Sequence, residues 1–190
     1  MTGGSADPAI VPFRGDYYTL KPHARELVRG LIYPVPDPDL PFLGIHFTRR
    51  IDGEVWAGPN AVLAFAREGY RRWDFAPREL LATIKYSGFQ RLALSYWRTG
   101  LAEMYRDFSK PAFVRDLQRY VPLIATDHLE FGPSGVRAQA VSADGRMIDD
   151  FVIEQAERVI HVRNAPSPAA TSSLAIAEHI CDRAEQSFSF

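Results

Sequence analysis

The sequence predicts an α+β fold, with a mostly antiparallel sheet and helices. Three observations predict it. Strand-like runs lie towards both ends of the chain, around Asp16–Leu20 and Val159–Val162. Between them, apolar residues recur at three- and four-residue spacings, as on one face of a helix. Asp52-Gly53 and Asp144-Gly145 then supply tight-turn chemistry, which joins neighbouring strands in antiparallel fashion.

Each element follows in order. Residues 1–12 are rich in Gly, Ser, Ala and Pro and read as frayed. Asp16–Leu20 and Val28–Val35 read as strands. The stretch from Tyr33 to Pro41 contains prolines 34, 36, 38 and 41. Proline fixes φ and removes a ladder donor, so this is an extended loop or a sheet edge. A hairpin follows, with arms Leu43–Thr48 and Glu54–Gly58 about Asp52-Gly53. Pro77 opens a helix, because the first helical position needs no N–H donor. Leu81, Ile84 and Gly88 share one face, and Trp97, Leu101, Met104 and Phe108 continue an apolar stripe, with Gly88 and Gly100 as candidate breaks. Pro111 opens a second helix that turns Phe113, Val114, Leu117 and Val121 inward and stops before Pro122. Strands return at Gly135–Val141, Phe151–Glu154 and Val159–Val162. A final helix starts near Pro168, with Ser167 as N-cap and Leu174, Ile176, Ile180 and Ala184 as its apolar contacts.

Composition excludes several function classes. The chain has 190 residues, 46% hydrophobic and 24% charged, the balance of a soluble domain. Lys plus Arg number 22 and Asp plus Glu 23, a net charge of −1 that rules out nucleic-acid binding through bulk charge. The run Tyr70-Arg-Arg-Trp73 has no wider basic field around it and reads as a turn before the helix. One cysteine, Cys181, excludes an intrachain disulfide framework. No two histidines lie three to five residues apart, which argues against a zinc site. No run approaches the roughly 20 apolar residues of a membrane span, and the start lacks signal-peptide features. Gly-x-Gly-x-x-Gly, the phosphate-binding P-loop and Gly-x-Ser-x-Gly are all absent from the sequence.

A few positions carry chemistry. Asn164–Ser173 packs small residues and prolines between a strand and a helix start. Free backbone donors and partial positive charge at a helix start suit an anion or an electron-rich ring edge. An ordinary capped turn is the simpler reading of those residues alone. Arg137, in Gly135-Val-Arg-Ala-Gln139, has the planar fork that grips a carboxylate, or it is a surface arginine or a partner of Asp149 or Asp150. His46 is a candidate acid, base or hydrogen-bond donor, or a satisfied structural histidine. Asn60 sits at a Gly-Pro-Asn corner and reads equally as a turn residue. His161 ends a strand beside the Asn164 turn.

The longer motifs carry a resemblance. They are Pro12-Phe-Arg-Gly-Asp-Tyr-Tyr18, Leu31–Pro38, Phe42-Leu-Gly-Ile-His-Phe-Thr48, Gly58-Pro-Asn-Ala-Val-Leu-Ala-Phe65, Gly135–Ala140 and His161–Ala175. In this order they resemble the FAD-dependent L-2-hydroxyglutarate oxidase/dehydrogenase family of the D-amino-acid-oxidase-like superfamily, from about Ala9 to the C-terminus. Members are roughly twice as long, and their N-terminal half carries the glycine-rich dinucleotide fingerprint. The resemblance therefore implies a C-terminal portion: the substrate-domain sheet, plus the C-terminal elements of an FAD-binding domain whose N-terminal half is missing. It implies three segments: a flexible 1–12, a substrate-binding 13–134, and 135–190 from the FAD-binding domain.

The resemblance also implies a reaction. L-2-hydroxyglutarate is oxidised to 2-oxoglutarate, with hydride passing from C2 to the flavin and a base taking the hydroxyl proton. It puts Arg137 on the substrate carboxylate and lines the substrate side with His46, Thr48, Asn60 and Gln139. His46 and Arg137 are the catalytic candidates, with His46 the candidate base. Pro166, Ser167, Pro168, Ala169, Ala170, Thr171 and Ser172 face the flavin ring edge. The expected partners are a small 2-hydroxy acid and an N-terminal FAD-binding half. The expected location is the cytoplasm, with membrane association through electron transfer. Two other readings stand beside this one. One is a non-catalytic remnant or one half of a split flavoenzyme. The other is an amine or amino-acid oxidase of the same superfamily, against which the Pro-Phe-Arg-Gly and Gly-Pro-Asn-Ala motifs argue.

Overall fold

The long strand β1 (Ala9–Leu20) organises the molecule. A computed structural model describes residues 5–35, 44–157, 159–166 and 169–188. β1 alternates side chains between two faces, and Val11, Tyr18 and Leu20 are buried on one or the other. Along one edge it pairs antiparallel with β6 (Leu129–Val141), from Ala9↔Val141 to Leu20↔Leu129. Its other edge pairs with β4 (Val55–Gly58) and β5 (Val62–Leu63). Adding β2 (Leu31–Ile32), β3 (His46–Arg49) and β7 (Met147–Ile148) gives a seven-stranded sheet of order β2-β3-β4-β1-β6-β7, with β5 also on β1. A separate hairpin joins β8 (Ile153–Ala156) and β9 (Val159–Val162). The fold is α+β with an antiparallel sheet, as the sequence predicts.

Both Asp-Gly turns form. Gly53 and Gly145 adopt φ of 83° and 92°, the left-handed region that a Cβ would strain. Pro77 opens α1 (Pro77–Lys85), and Pro111 lies in the first turn of α4 (Lys110–Leu117). Ser109 caps α4, its hydroxyl accepting from the Ala112 N–H at 3.4 Å. Phe113, Val114 and Leu117 then turn inward onto Tyr18, Leu20, Phe47, Val55 and Leu129. Each such fully buried side chain contributes about 1.5–3 kcal/mol. A smaller cluster joins Val11 and Val141 to Leu92 of α2 (Ser87–Ser95). There α2 runs so close to the sheet that a Cβ on Gly88 would meet the Ser142 carbonyl oxygen at 2.2 Å.

Four local expectations change. β1 starts at Ala9, inside the segment read as frayed, because Ala9–Pro12 find ladder partners in Ala138–Val141. The run Val28–Val35 yields only the two-residue β2, and a 3-10 turn occupies Pro22–Leu27 just before it. The helical middle breaks at Tyr86 and Tyr96, not at Gly88 and Gly100, giving α1, α2 and α3 (Trp97–Phe108). Finally, α5 (Ser173–Ser187) buries none of its residues, so Leu174, Ile176, Ile180 and Ala184 supply no core contact. Ser167, the expected N-cap, and Pro168 lie outside the described residues.

Candidate active site

Cross-strand partners in an antiparallel sheet share a face, and successive residues alternate. Tyr18 and Leu20 face the core. Tyr17 and Thr19 therefore face the other way. Thr19 pairs with Trp56, and Trp56 pairs with Thr48. His46 lies two residues from Thr48 and shares its face. On the far side of β1 the register shifts between Asp16 and Tyr18. The extra residue belongs to β6, since Asp16↔Ser134 is followed by Tyr18↔Phe131, so the alternation along β1 is unbroken. Phe13 and Val11 thus share the Tyr17 face, and their partners Arg137 and Gln139 do too. Four expected site residues, His46, Thr48, Arg137 and Gln139, come to one sheet face from β3 and β6.

Their environments differ. His46 is half-buried, and its Nδ1 lies 3.4 Å from the Gly44 carbonyl oxygen. A carbonyl only accepts, so this contact puts the proton of the neutral ring on Nδ1 and leaves a lone pair on Nε2. Burial pushes the His46 pKa down; the Gly44 carbonyl opposes this and the Arg137 charge adds to it. The Tyr33 ring stacks on His46 with centroids 4.2 Å apart and planes 17° apart. The Tyr33 hydroxyl is 3.5 Å from Thr48 Oγ1. Tyr17 packs on Trp56 at 5.4 Å. Burial raises the Tyr17 pKa, against the lowering effect of Arg137. The exposed Arg137 thus acts electrostatically on both His46 and Tyr17. Gln139 donates its side-chain N–H to the carbonyls of Ile148 at 3.0 Å and Ala140 at 3.2 Å.

Asn60 lies elsewhere, in a buried ionic network behind this face. Its Oδ1 accepts the Asp16 backbone N–H at 2.7 Å, and its Nδ2 donates to Asp107 Oδ1 at 2.9 Å. Arg14 donates through Nε to Asp16 at 2.9 Å and through Nη2 to Asp107 at 3.2 Å. Arg72 Nε is 3.0 Å from the same Asp107 oxygen. Burial and a hydrogen bond to Asp107 raise the Asp16 pKa. Burial also acts to raise Asp107, but hydrogen bonds from Asp16 and Asn60 and the charges of Arg72 and Arg14 hold it low. Of the two carboxyls, Asp107 is thus the more acidic and Asp16 the less. The network ties β1 to the end of α3 and fixes the backbone that carries Tyr17.

The C-terminal turn is held from β8 and β9. Asn164, buried, accepts the Val152 N–H at 2.7 Å and donates to the Asp150 carbonyl at 2.9 Å. Arg163 reaches the carbonyls of Asp7 at 3.0 Å and Pro8 at 2.8 Å. The Ala169 N–H bonds the Pro166 carbonyl at 3.0 Å. Among the described residues no side chain caps the N-terminus of α5. Ala170 and Thr171 are exposed and Ser172 is partly so. Nearby in sequence, His161 has a buried Nε2 with no hydrogen-bond partner among the described residues.

The family assignment rests on the whole chain. Residues 1–183 match the family model described as FAD dependent oxidoreductase (DAO). The chain belongs to that family. It is 54% identical over 192 residues to the mitochondrial L-2-hydroxyglutarate dehydrogenase of Nematostella vectensis, covering 98% of this chain and 42% of the relative. The mouse (Mus musculus) mitochondrial enzyme of that name is 52% identical over 193 residues, with 99% and 42% covered. The L-2-hydroxyglutarate dehydrogenase of Indibacter alkaliphilus is 52% identical over 184 residues, with 97% and 46% covered. The chain spans less than half the length of these relatives.

Membership in an FAD-dependent family puts the cofactor question to this chain's residues. The uncapped start of α5 leaves first-turn N–H groups that the helix does not use, and Ala165, Ala169 and Ala170 leave them approachable. The orphaned His161 Nε2 adds a polar atom in want of a partner. These features fit the acceptor-rich edge of a flavin ring. They do not make a dinucleotide cradle, for which the sequence has no glycine-rich loop.

Sequence reasoning missed Tyr17, Tyr33, Asp107 and Arg72. Tyr17 was findable by counting alternate residues along β1 from the apolar Val11 and Phe13. Asp107 was not, because 93 positions separate it from Arg14.

Proposed function

We propose that this chain supplies the substrate-facing sheet of a flavoenzyme that oxidises L-2-hydroxyglutarate to 2-oxoglutarate. One observation carries the reading: Arg137 and His46 share a sheet face and interact electrostatically, with the imidazole held neutral and its Nε2 lone pair available. Arg137 binds a substrate carboxylate through its planar fork. His46 takes the C2 hydroxyl proton at Nε2, and the nearby Arg137 charge favours the neutral imidazole that can accept it. Thr48 and Gln139 line the same face, and Asn60 acts from behind by holding the Asp16 backbone. FAD bound beside this face would supply the acceptor for the C2 hydride. Pro166, Ser167, Pro168, Ala169, Ala170, Thr171 and Ser172 are the residues that would hold its ring edge. The relatives' names support this substrate.

Because the chain spans less than half of those relatives, the reading includes a partner: a separate FAD-binding half. The alternative is a non-catalytic remnant. The same reading places the enzyme in the cytoplasm, meeting a membrane through the electron transfer that reoxidises it. No helix among the described residues is long and apolar enough to cross one.

The test is a visible absorption spectrum after incubation with FAD and desalting, followed by an activity assay. The chain is produced alone and together with the remaining portion of the Indibacter relative. The expected result is no flavin retained alone, and retained flavin with L-2-hydroxyglutarate oxidation when paired. In the pair, Arg137→Met lowers kcat/KM about 10–100-fold, chiefly through KM. His46→Gln lowers kcat at least about 100-fold. Glycine and D-amino acids remain unreactive. No flavin and no activity in either form selects the remnant.

A further inference from the structure

Tyr33 is not among the residues that the substrate reading uses, yet it makes the closest ring contact to His46. β2 and β3 pair in the register Leu31↔Thr48 and Ile32↔Phe47. Continued by one residue, that register sets Tyr33 opposite His46. The strand ends at Ile32, but Pro34 follows Tyr33, and a residue before proline is confined to extended backbone. Tyr33 therefore stays in line with the strand it has left. Its ring lies flat on the imidazole, at 4.2 Å and 17°. Its hydroxyl reaches Thr48, two residues along the same face of β3. The Pro34 ring lies 3.7 Å from where a Cβ on Gly44 would stand, beside the residue whose carbonyl receives Nδ1. Tyr33-Pro34 thus clasps Gly44–His46 at the start of β3.

We propose that Tyr33 is a positioning residue for the base: its stacked ring and its tether to Thr48 hold the His46 imidazole in the plane that keeps Nδ1 on Gly44 and Nε2 towards the substrate. This inference rests on the reading of His46 as the base. Without the stack, the ring turns about its χ2 bond, the Nδ1 contact loosens, and the two neutral tautomers mix. The charged and titratable groups around His46 come from three elements: Arg137 on β6, Tyr17 on β1 and Tyr33 beyond β2. Replacing Tyr33 leaves the first two in place.

The experiment is an NMR titration of the His46 ring nitrogens in this chain, for the parent and for Tyr33→Phe and Tyr33→Leu. The parent is expected to show a single Nδ1–H tautomer and a titration midpoint below the ordinary value of about 6.5. Tyr33→Phe keeps the stack but loses the tether to Thr48, and falls between the parent and the stack-free variants. Tyr33→Leu mixes the tautomers and moves the midpoint up towards the ordinary value, as the ring becomes better hydrated. Tyr33 is half exposed, and Tyr33→Gln serves as a second stack-free variant should the leucine form fail to fold. Unchanged tautomer and midpoint in the stack-free variants overturn the role of Tyr33 and leave the base assignment standing. A parent His46 that already shows mixed tautomers and an ordinary midpoint overturns both. In the paired enzyme, Tyr33→Leu is expected to lower kcat about tenfold and shift its acid limb while KM holds; a change in KM alone speaks against positioning.

Discussion

Asp107 binds more of this molecule together than any residue a sequence motif points to. It lies at the C-terminal end of α3, 5% exposed, and receives Arg14, Arg72 and Asn60. Arg14 is itself only 3% exposed. Taking away Asp107 leaves Arg14 with Asp16 alone and removes the acid that Arg72 and Asn60 share with it. Breaking a buried pair by removing one partner strands a charge and costs about 3–5 kcal/mol. Asp107→Ala is therefore expected to lower the unfolding free energy measured by urea titration by that amount. Asp107→Asn, which keeps hydrogen-bonding atoms in place, costs less. Equal losses in the two variants would show that the carboxylate charge is what matters. A loss under about 1 kcal/mol in the alanine variant would show that the network is not structural. The same network explains why Asn60 could be read as a site residue from its motif. Its side chain satisfies a backbone donor and an acid instead of touching the substrate face.

At the scale of elements, the sequence is legible where local chemistry decides. Asp52-Gly53 and Asp144-Gly145 needed no tertiary information, because positive φ belongs to glycine wherever it occurs. Pro77 and Pro111 marked helix starts for an equally local reason. Long-range pairing decides the rest. The extent of β1 depends on a partner more than a hundred residues away, and the face carrying His46 and Arg137 depends on a register shift within β6. The Asp144 turn also carries a pH dependence. Hydrogen bonds from the Ser142 hydroxyl and the Arg146 side chain and backbone lower the Asp144 pKa to about 2. A carboxylate with a depressed folded pKa contributes stability that is complete above its ordinary value of 3.8 and is lost as pH falls towards 2. Asp144→Asn is expected to remove that increment. The gap in Tm between parent and variant is then widest above pH 4 and closes by pH 2. A gap independent of pH would assign the effect to turn geometry rather than charge.

Over the whole molecule, apolar surface stands where water should discourage it. The stripe of Trp97, Leu101, Met104 and Phe108 has the spacing of a core-facing helix, and the structure leaves those residues 42–58% exposed. Trp97, Leu101 and Met104 border a groove of about 380 Å³ that is walled by Phe13, Leu63, Phe89 and Met147. Trp73, Leu94 and Leu123 are exposed beyond it, at 79%, 77% and 72%. Contiguous exposed apolar surface on this scale marks an interaction site or an aggregation liability. The chain spans less than half the length of its L-2-hydroxyglutarate dehydrogenase relatives. The isolated chain is therefore expected to self-associate with rising concentration and to bind a hydrophobic dye strongly. Leu101→Glu with Met104→Glu places two charges on an exposed face of α3, where no core contact is lost. Light scattering and dye fluorescence should both fall, with the far-ultraviolet circular dichroism unchanged. Repulsion between added charges accounts for part of any such fall, so Arg115→Glu with Arg119→Glu, which changes charge outside the stripe, is the control. If the control lowers self-association as much as the stripe variant does, the apolar face is not what drives it. If only the stripe variant does, association runs through α3, and the helix period that looked like core packing is an interface written into the sequence.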